Sequence, residues 1–262
     1  MKTDFDFPRL FAAKLKCDLI NVERIAGGRN SQIFRVKDSK GNKFAAKIYY
    51  SHRGDARDRL GTEFNTLSFL WGNNIKNIPK PLVTDPKNGF AIYEYIDGCS
   101  PLSTEITFHD IDRACELLLE LKKLITHVDT VNLPIASEAV FSINELSGNI
   151  KQRYDRLMAI PKKHEVELKC QNFLSKKVYP FYIHLLKWSQ NKLLTAGIRV
   201  NTILPYPERT LSPSDFGFHN AVRRPDGKLV FLDFEYFGWD DPAKMIADFV
   251  LHPGMKLRFE AK

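Results

Sequence analysis

The chain has 262 residues, 44% of them hydrophobic, which is enough to bury one large core or two small ones and excludes wholesale disorder. Lysine and arginine total 39 against 31 aspartates and glutamates, a net +8 that favours anionic partners without choosing among nucleotides, phosphorylated sugars, nucleic acid or a membrane surface. No run of 18 apolar residues occurs, and the start, MKTDFDFPRLFAAKLK, lacks the apolar block of a secretory signal, so no membrane span is expected.

The first hundred residues read mostly as strands. Leu19–Ala26, Ser31–Asp38 and Lys43–Tyr50 are rich in Ile, Val, Phe and Tyr, with a turn at Ser39-Lys40-Gly41-Asn42. Residues 56–73 read as a helix carrying Leu60, Phe64, Leu67 and Leu70 at spacings of three and four. Strands are expected again at Pro81–Thr84 and Phe90–Ile96 around Asp85-Pro86-Lys87-Asn88-Gly89. That makes a five-stranded sheet with one helix inserted after its third strand.

Beyond Gly98 the periodicity changes. His109–His127 predicts a helix with Ile111, Cys115, Leu118, Leu121 and Ile125 on its inner face. Ala139–Ile160 and His164–Thr195 are also helical, the second broken near Pro180. Much of the positive charge falls between Lys151 and Lys177, as a solvated helix face or the rim of an anion site. A β-rich stretch spans Thr210–Phe234, and a last helix starts at Asp241-Pro242 with Asp241 as its cap. The class is α+β, with a boundary in DGCSPLS, residues 97–103. The four cysteines, Cys17, Cys99, Cys115 and Cys170, form no CxxC pair, which suits a reducing compartment and gives no zinc ligand spacing; Cys115 is expected in the core.

Three segments carry chemistry. Gly27-Gly28 lies between two strands, where glycine lets the backbone approach an anion, although a plain hairpin uses the same residues. Lys47 sits among apolar residues on a strand, costly there unless paired, and Glu63 follows on the next helix. A strand lysine paired with a helix glutamate is how kinases hold nucleotide phosphates. In SDFGFHN, Asp215 precedes Asn220 by five residues, and Asp233 ends an apolar strand 13 residues later. Kinase chemistry needs those positions: a carboxylate to orient the acceptor hydroxyl and take its proton, then an Asn and an Asp on magnesium. Glu235 and Asp240 lie near the metal position. His219 is beside Asn220 and suits loop packing or the acceptor side; His252 reads as a helix end. There is no GxSxG elbow and no HxxxH pair.

Taken together, GGRNSQIFRV, FAAK, TEFNTLSFL, IYEYIDG, SDFGFHN and LDFEYFGWDDP resemble the aminoglycoside phosphotransferase and choline kinase group, over residues 19 to 252. The resemblance implies a two-lobed protein-kinase-like fold: a nucleotide lobe at residues 1–96 with a five-stranded antiparallel sheet and one helix, and a mainly helical catalytic lobe at 97–262. It also implies that Gly27, Gly28, Asn30 and Ser31 lie over the phosphates of ATP and that Lys47, paired with Glu63, contacts them. The linker from Tyr93, with Glu94 and Ile96, receives the adenine; Asp215 is the base, and Asn220 and Asp233 hold Mg2+.

Two departures stand out. Pro213-Ser214-Asp215 replaces the usual His-Gly-Asp, and 29 residues follow Asp233 where relatives carry several more helices, as in a compact or truncated member. The expected activity is transfer of the γ-phosphoryl group of ATP to a hydroxyl of a small molecule in the cytoplasm: a sugar, an amino alcohol or an aminoglycoside-like amine. The positive balance favours a neutral or anionic acceptor. A catalytically silent nucleotide-binding or scaffolding protein of the same fold is the alternative. No nucleic-acid reader motif is present.

Overall fold

The computed structural model describes residues 6–28, 30–51 and 55–255. It forms two compact units, residues 1–138 together with 210–262, and residues 139–209.

In the first unit, β1 (Leu19–Gly27), β2 (Ser31–Asp38), β3 (Lys43–Tyr49), β4 (Pro81–Asp85) and β5 (Phe90–Glu94) form one antiparallel sheet in the order β1-β2-β3-β5-β4. This is the expected sheet, though β5 stops at Glu94, two residues early. Residues 7–15, for which the sequence pattern predicts no element, form helix α1 (Phe7–Leu15), capped by Asp6 with a proline in its first turn. Its fully buried Phe11 meets Phe90 edge-on at 5.0 Å and closes a core with Val36, Ala46, Ile48 and Ile92. Helix α2 (Arg59–Gly72) is capped by Asp58 and buries Leu60, Glu63, Thr66, Leu67 and Leu70. Strand periodicity sets the direction of the β3 side chains: Ala46 and Ile48 face α1, so Lys47 and Tyr49 project from the opposite face.

Later in the same unit, α3 (Phe108–Lys123) starts at a Thr107–Asp110 capping box. Its buried face is Asp110, Ala114, Leu117, Leu118 and Leu121, and Cys115 is exposed, contrary to expectation. The apolar stripe is carried by Ala114 and Leu117, one position around the helix from Ile111 and Cys115. Four short strands replace the β-rich stretch. Strands β6 (Thr210–Ser212) and β9 (Gly238–Asp240) pair, as do β7 (Ala221–Arg223) and β8 (Leu229–Phe231) across the predicted Pro225-Asp226-Gly227 turn. Helix α7 (Pro242–Leu251) comes last, and Asp241 caps it as expected through the N–H groups of Ala243 and Lys244. Phe216, Phe218, Phe231 and Phe249 cluster beneath these strands.

The second unit contains α4 (Ile143–Met158), α5 (Glu165–Phe173) and α6 (Tyr179–Thr195), with a π-helical turn at Leu174–Val178 joining the last two. Pro180 has no N–H, so the hydrogen-bond register must change just ahead of it; the break expected near Pro180 takes this form. Gln171 donates to the carbonyls of Met158 (3.1 Å) and Ile160 (2.8 Å), tying α5 to the end of α4. Among the described residues, no helix is long and apolar enough to cross a membrane.

Candidate active site

The ion pair expected between strand and helix is formed. Lys47 projects from β3 and is 6% exposed; its Nζ lies 2.7 Å from Glu63 Oε2 on α2. It also meets Asp233 Oδ1 at 2.8 Å and Glu235 Oε2 at 3.2 Å. Burial alone would lower the lysine's pKa. The three carboxylates outweigh it and hold the ammonium well above its ordinary range. Burial raises Glu63 instead, with Lys47 opposing. Tyr49, on the same face of β3, donates to Glu63 Oε2 at 2.7 Å and meets the hydroxyl of Tyr93 at 2.7 Å. The backbone N–H of Phe234 reaches Glu63 Oε1 at 3.3 Å, so both glutamate oxygens are held.

Tyr49 is a site residue that the motifs do not single out. Its signal is spacing: it stands two residues after Lys47, which in a strand means the same face. The sequence marks Glu235 only as a neighbour of the metal position. It is buried and links the strand lysine to the glycine turn: Asn30 Nδ2 donates to Glu235 Oε1 at 3.0 Å and to the hydroxyl of Tyr236 at 2.6 Å. Arg59 Nε approaches Glu235 Oε1 at 3.6 Å. Asp240, also near the metal position in sequence, instead meets Lys244 at 3.3 Å.

The glycine turn is tight. The N–H of Gly28 bonds to the Ser31 carbonyl at 3.0 Å, and Tyr50 N–H closes on the Asn30 carbonyl at 2.8 Å. A Cβ on Gly27 would meet the Arg24 side chain at 3.0 Å, Ser31 O at 3.1 Å and Gln32 Cα at 3.3 Å, so a side chain there would crowd the hairpin. Around Gly28 a Cβ would meet nothing within 4 Å, which leaves room for a group to approach the backbone. Glu94 is spent differently: Arg224 Nη2 donates to its Oε1 at 2.8 Å, and its own N–H goes to Lys80 O at 2.8 Å. Ile96 is buried.

The Asp215 loop leaves β6 through Ser212 and Pro213. Ser214 has φ 69°, the left-handed conformation that glycine adopts without cost. Two bonds hold it: its N–H to Ser212 Oγ at 3.0 Å, and its hydroxyl to Ser137 O at 2.7 Å. Asn220 Nδ2 donates to the Asp215 carbonyl at 2.9 Å, and Leu232 N–H donates to the Asn220 carbonyl at 2.8 Å. The residue before Asp233 is thereby fixed on the loop that carries Asp215. Asp233 itself also has a positive φ, 66°.

The Asp215 side chain meets two histidines. His219 Nε2 lies 3.0 Å from Oδ1 and His252 Nε2 lies 3.3 Å from the same oxygen. The contact with His219, opposed by burial and assisted by the charge of His252, lowers the Asp215 pKa below its ordinary range. The carboxylate is thus ionised and able to accept a proton.

The donor set suits a hard divalent cation at Asn220 and Asp233. Asn220 spends its NH2 on a backbone carbonyl, so Oδ1 is its remaining ligand atom, and Asp233 offers a carboxylate oxygen. Glu63, Asp233 and Glu235 also cluster closely enough to share an ion, but the Lys47 ammonium stands among them and fills that position.

No protein-family model matches the chain, and no curated protein matches its sequence. Solved structures do match in fold. A choline kinase from Streptococcus pneumoniae aligns over 97% of this chain and 75% of its own, at 17% identity and a TM-score of 0.57. A spectinomycin phosphotransferase crystallised with ADP and spectinomycin aligns over 92% and 72%, at 13% identity and a TM-score of 0.65. An aminoglycoside phosphotransferase from Alicyclobacillus acidocaldarius aligns over 93% and 70%, at 13% identity and a TM-score of 0.57. The chain therefore has the α+β, kinase-like fold of the choline kinase and aminoglycoside phosphotransferase structures, at low sequence identity.

Proposed function

We propose that the protein is a small-molecule kinase that moves the γ-phosphoryl group of ATP onto a hydroxyl of a small metabolite. The observation that carries this reading is the contact of Lys47 with both Glu63 and Asp233, at 2.7 and 2.8 Å, from separate parts of the chain. That is the arrangement kinases use to hold nucleotide phosphates beside a metal carboxylate. On this reading residues 1–96 form the nucleotide lobe and 97–262 the catalytic lobe.

Each residue has a role. Lys47, oriented by Glu63, neutralises charge on the α and β phosphates. Gly27, Gly28, Asn30 and Ser31 present the turn that lies over them, and Glu94 and Ile96 flank the adenine. Asn220 and Asp233 would hold Mg2+, which would supply charge neutralisation for the phosphates. Asp215 orients the acceptor hydroxyl and receives its proton. A new bond forms between the acceptor oxygen and phosphorus, the bond to the β-phosphate oxygen breaks, and ADP leaves. Catalysis is by positioning and charge, with no covalent enzyme intermediate. The acceptor class is a sugar, an amino alcohol or an aminoglycoside-like amine, and the working compartment is the cytoplasm.

The test is a screen of hydroxylated metabolites for ATP consumption in the presence of Mg2+, run beside Asp215→Asn. Turnover should fall on the order of 10²-fold or more in the variant while ATP binding holds, because the base is lost and the phosphate contacts are not. ATP binding without phosphate transfer to any acceptor or to water would favour the catalytically silent reading instead.

A further inference from the structure

The positive charge of the chain is concentrated in one place. Residues 139–209, the second unit, hold 12 lysines and arginines against 5 aspartates and glutamates, a net +7 out of the +8 of the whole sequence. The same unit buries little. Val140, Phe141 and Leu174 are its buried apolar side chains, and α4 and α6 bury no residue at all. The proposed phosphoryl transfer uses none of its residues.

Helix α5, the π-helical turn and α6 follow one another without a break, since Leu174, Val178 and Tyr179 all hold right-handed helical dihedrals. One side of this rod turns toward α4: the Tyr179 ring lies 5.2 Å from that of Tyr154, and Tyr182 donates its hydroxyl to Ser147 O at 3.2 Å. The other side is uncovered. On α6, Phe181, Leu185 and Trp188 recur at spacings of four and three, and Phe181 is 61% and Trp188 54% exposed. On α5, Val166 and Phe173 stand two turns apart and are exposed to a similar degree. One α-turn and one wider π-turn together take about eight residues, which brings Phe173 and Phe181 to the same side.

Lysines interleave with this stripe. Lys177 precedes Phe181 by four residues, and Lys192 follows Trp188 by four, with its ammonium 5.9 Å from the Trp188 ring. Among the described residues, Lys176, Lys177 and Lys187 are in no ion pair. The acids nearby are engaged locally. Glu165 meets Lys169 at 2.8 Å, Asp155 meets Lys151 at 2.6 Å, and Glu167 caps the start of α5 by accepting from the His164 N–H at 2.6 Å.

We propose that this face of α5 and α6 lies on the surface of an anionic phospholipid membrane, its apolar side chains in the boundary between headgroups and acyl chains and its lysines at lipid phosphates. An amphipathic helix that carries Trp, Phe and Leu beside lysines binds in the plane of the interface, and each lysine near an anionic leaflet adds to the attraction. The lysine stems cover apolar surface while their ammonium groups reach the phosphates. Helix α6, of 17 residues with Lys187 and Lys192 in its second half, lies on the bilayer and does not span it. A second copy of the chain would bring +7 against +7. Nucleic acid would offer its bases to the aromatic rings but leave Val166 and Leu185 without a partner. The proposal stands apart from the kinase reading, because the second unit holds no residue assigned to the transfer.

Flotation of the full chain with vesicles tests it. Phosphatidylcholine vesicles containing about 30% phosphatidylserine should carry the protein up the gradient, and pure phosphatidylcholine should not. The partition constant should fall at least about tenfold in Lys177→Glu with Lys192→Glu, and at least about tenfold in Phe181→Ser with Trp188→Ser. All four side chains are exposed, so both variants should keep the circular dichroism of the unaltered protein. Trp188 reports insertion: phospholipid brominated on its acyl chains should quench tryptophan emission, and Trp188→Phe should abolish that quenching. No flotation with the anionic vesicles would overturn the proposal. So would flotation without quenching, or flotation that Phe181→Ser with Trp188→Ser leaves intact, because the protein would then adsorb by charge alone, as it would to nucleic acid or an acidic protein. A dimer in sedimentation velocity without lipid, dissociated by that same apolar variant, would assign the face to a second copy instead.

Discussion

Lys47→Met tests the centre of the site without nucleotide. The substitution preserves most of the volume and removes the ammonium that Glu63, Asp233 and Glu235 share, which lie within 2.7 to 3.2 Å of it. At an effective dielectric of about 20, each contact is worth roughly 5–6 kcal/mol of attraction, offset by burying the ammonium and by repulsion among the acids. Breaking one partner out of a buried ion cluster costs about 3–5 kcal/mol net, because the other charges stay behind. At roughly 2–4 °C per kcal/mol for a chain of this size, Tm should fall on the order of 10 °C at pH 8. The pH dependence has a definite sign. Burial already raises Glu63, and Lys47 is what opposes that rise, so in the variant its folded pKa climbs further above the unfolded value of about 4.3. A carboxyl raised in the folded state destabilises when ionised and is relieved when protonated. The Tm deficit should therefore be full at pH 8 and shrink as pH falls through the raised pKa. Thermal unfolding of both proteins between pH 8 and pH 5 measures it. A deficit that does not change with pH, or one under about 2 °C at pH 8, would refute the reasoning.

Asp233→Asn removes one carboxylate from Lys47 and one proposed metal ligand, so the Mg2+ midpoint for ATP turnover should rise at least about tenfold; an unchanged midpoint would move the metal role to Glu235. Arg223→Ala should cost about 2–4 kcal/mol in chemical denaturation, because Arg223 grips the buried Asp110 carboxylate with bonds of 2.8 and 3.0 Å. Burial would raise Asp110, but Arg223 and the Thr107 cap hold it at about 2. That contribution is complete above the unfolded pKa of about 4 and lost as pH falls toward 2, so the variant should lose stability less steeply over that interval than the unaltered protein.

The sequence discloses whatever a local pattern determines. The strands β1 to β5 and helix α2 announce themselves through alternation and three-four spacing, and both are set by which face is buried. Lys47, Glu63, Asp215, Asn220 and Asp233 are legible as a spaced set because each stands at the end or centre of such an element. The rest depends on contacts between distant segments. Strand β9, Gly238-Trp239-Asp240, has no alternation to detect and exists because β6 lies beside it. Helix α1 has too few turns for its periodicity to show, and only Phe11 against Phe90 reveals its purpose. Cys115 is misread as a core residue because a stripe of one residue per turn leaves the inner face uncertain by about 100°, one residue's rotation. His252 ends a helix, as its sequence says, yet its position on Asp215 depends on how α7 packs.

Ser214 is a side-chain-bearing residue on a backbone that glycine adopts without cost. Where the resembled His-Gly-Asp motif has glycine, this chain has serine at φ 69°, and the strain is compensated locally by the Ser214 hydroxyl on Ser137 O at 2.7 Å. A non-glycine residue in this region costs about 1–3 kcal/mol, and a partly buried hydrogen bond returns about 1. Ser214→Gly relieves about 1–3 kcal/mol of strain, loses about 1 kcal/mol of hydrogen bond and about 0.4–1 kcal/mol through the freer unfolded chain, so stability should change by between about −1 and +2 kcal/mol. Ser214→Ala keeps the strain and loses the bond, so it should cost about 1–2 kcal/mol. The ordering of the two variants carries the test, because it is independent of any error common to both measurements. Urea unfolding should show the glycine variant more stable than the alanine variant by about 1 kcal/mol. If alanine equals or exceeds glycine, residue 214 does not hold a left-handed backbone in solution, and the Asp215 loop does not keep the turn that the glycine of the related motif would provide.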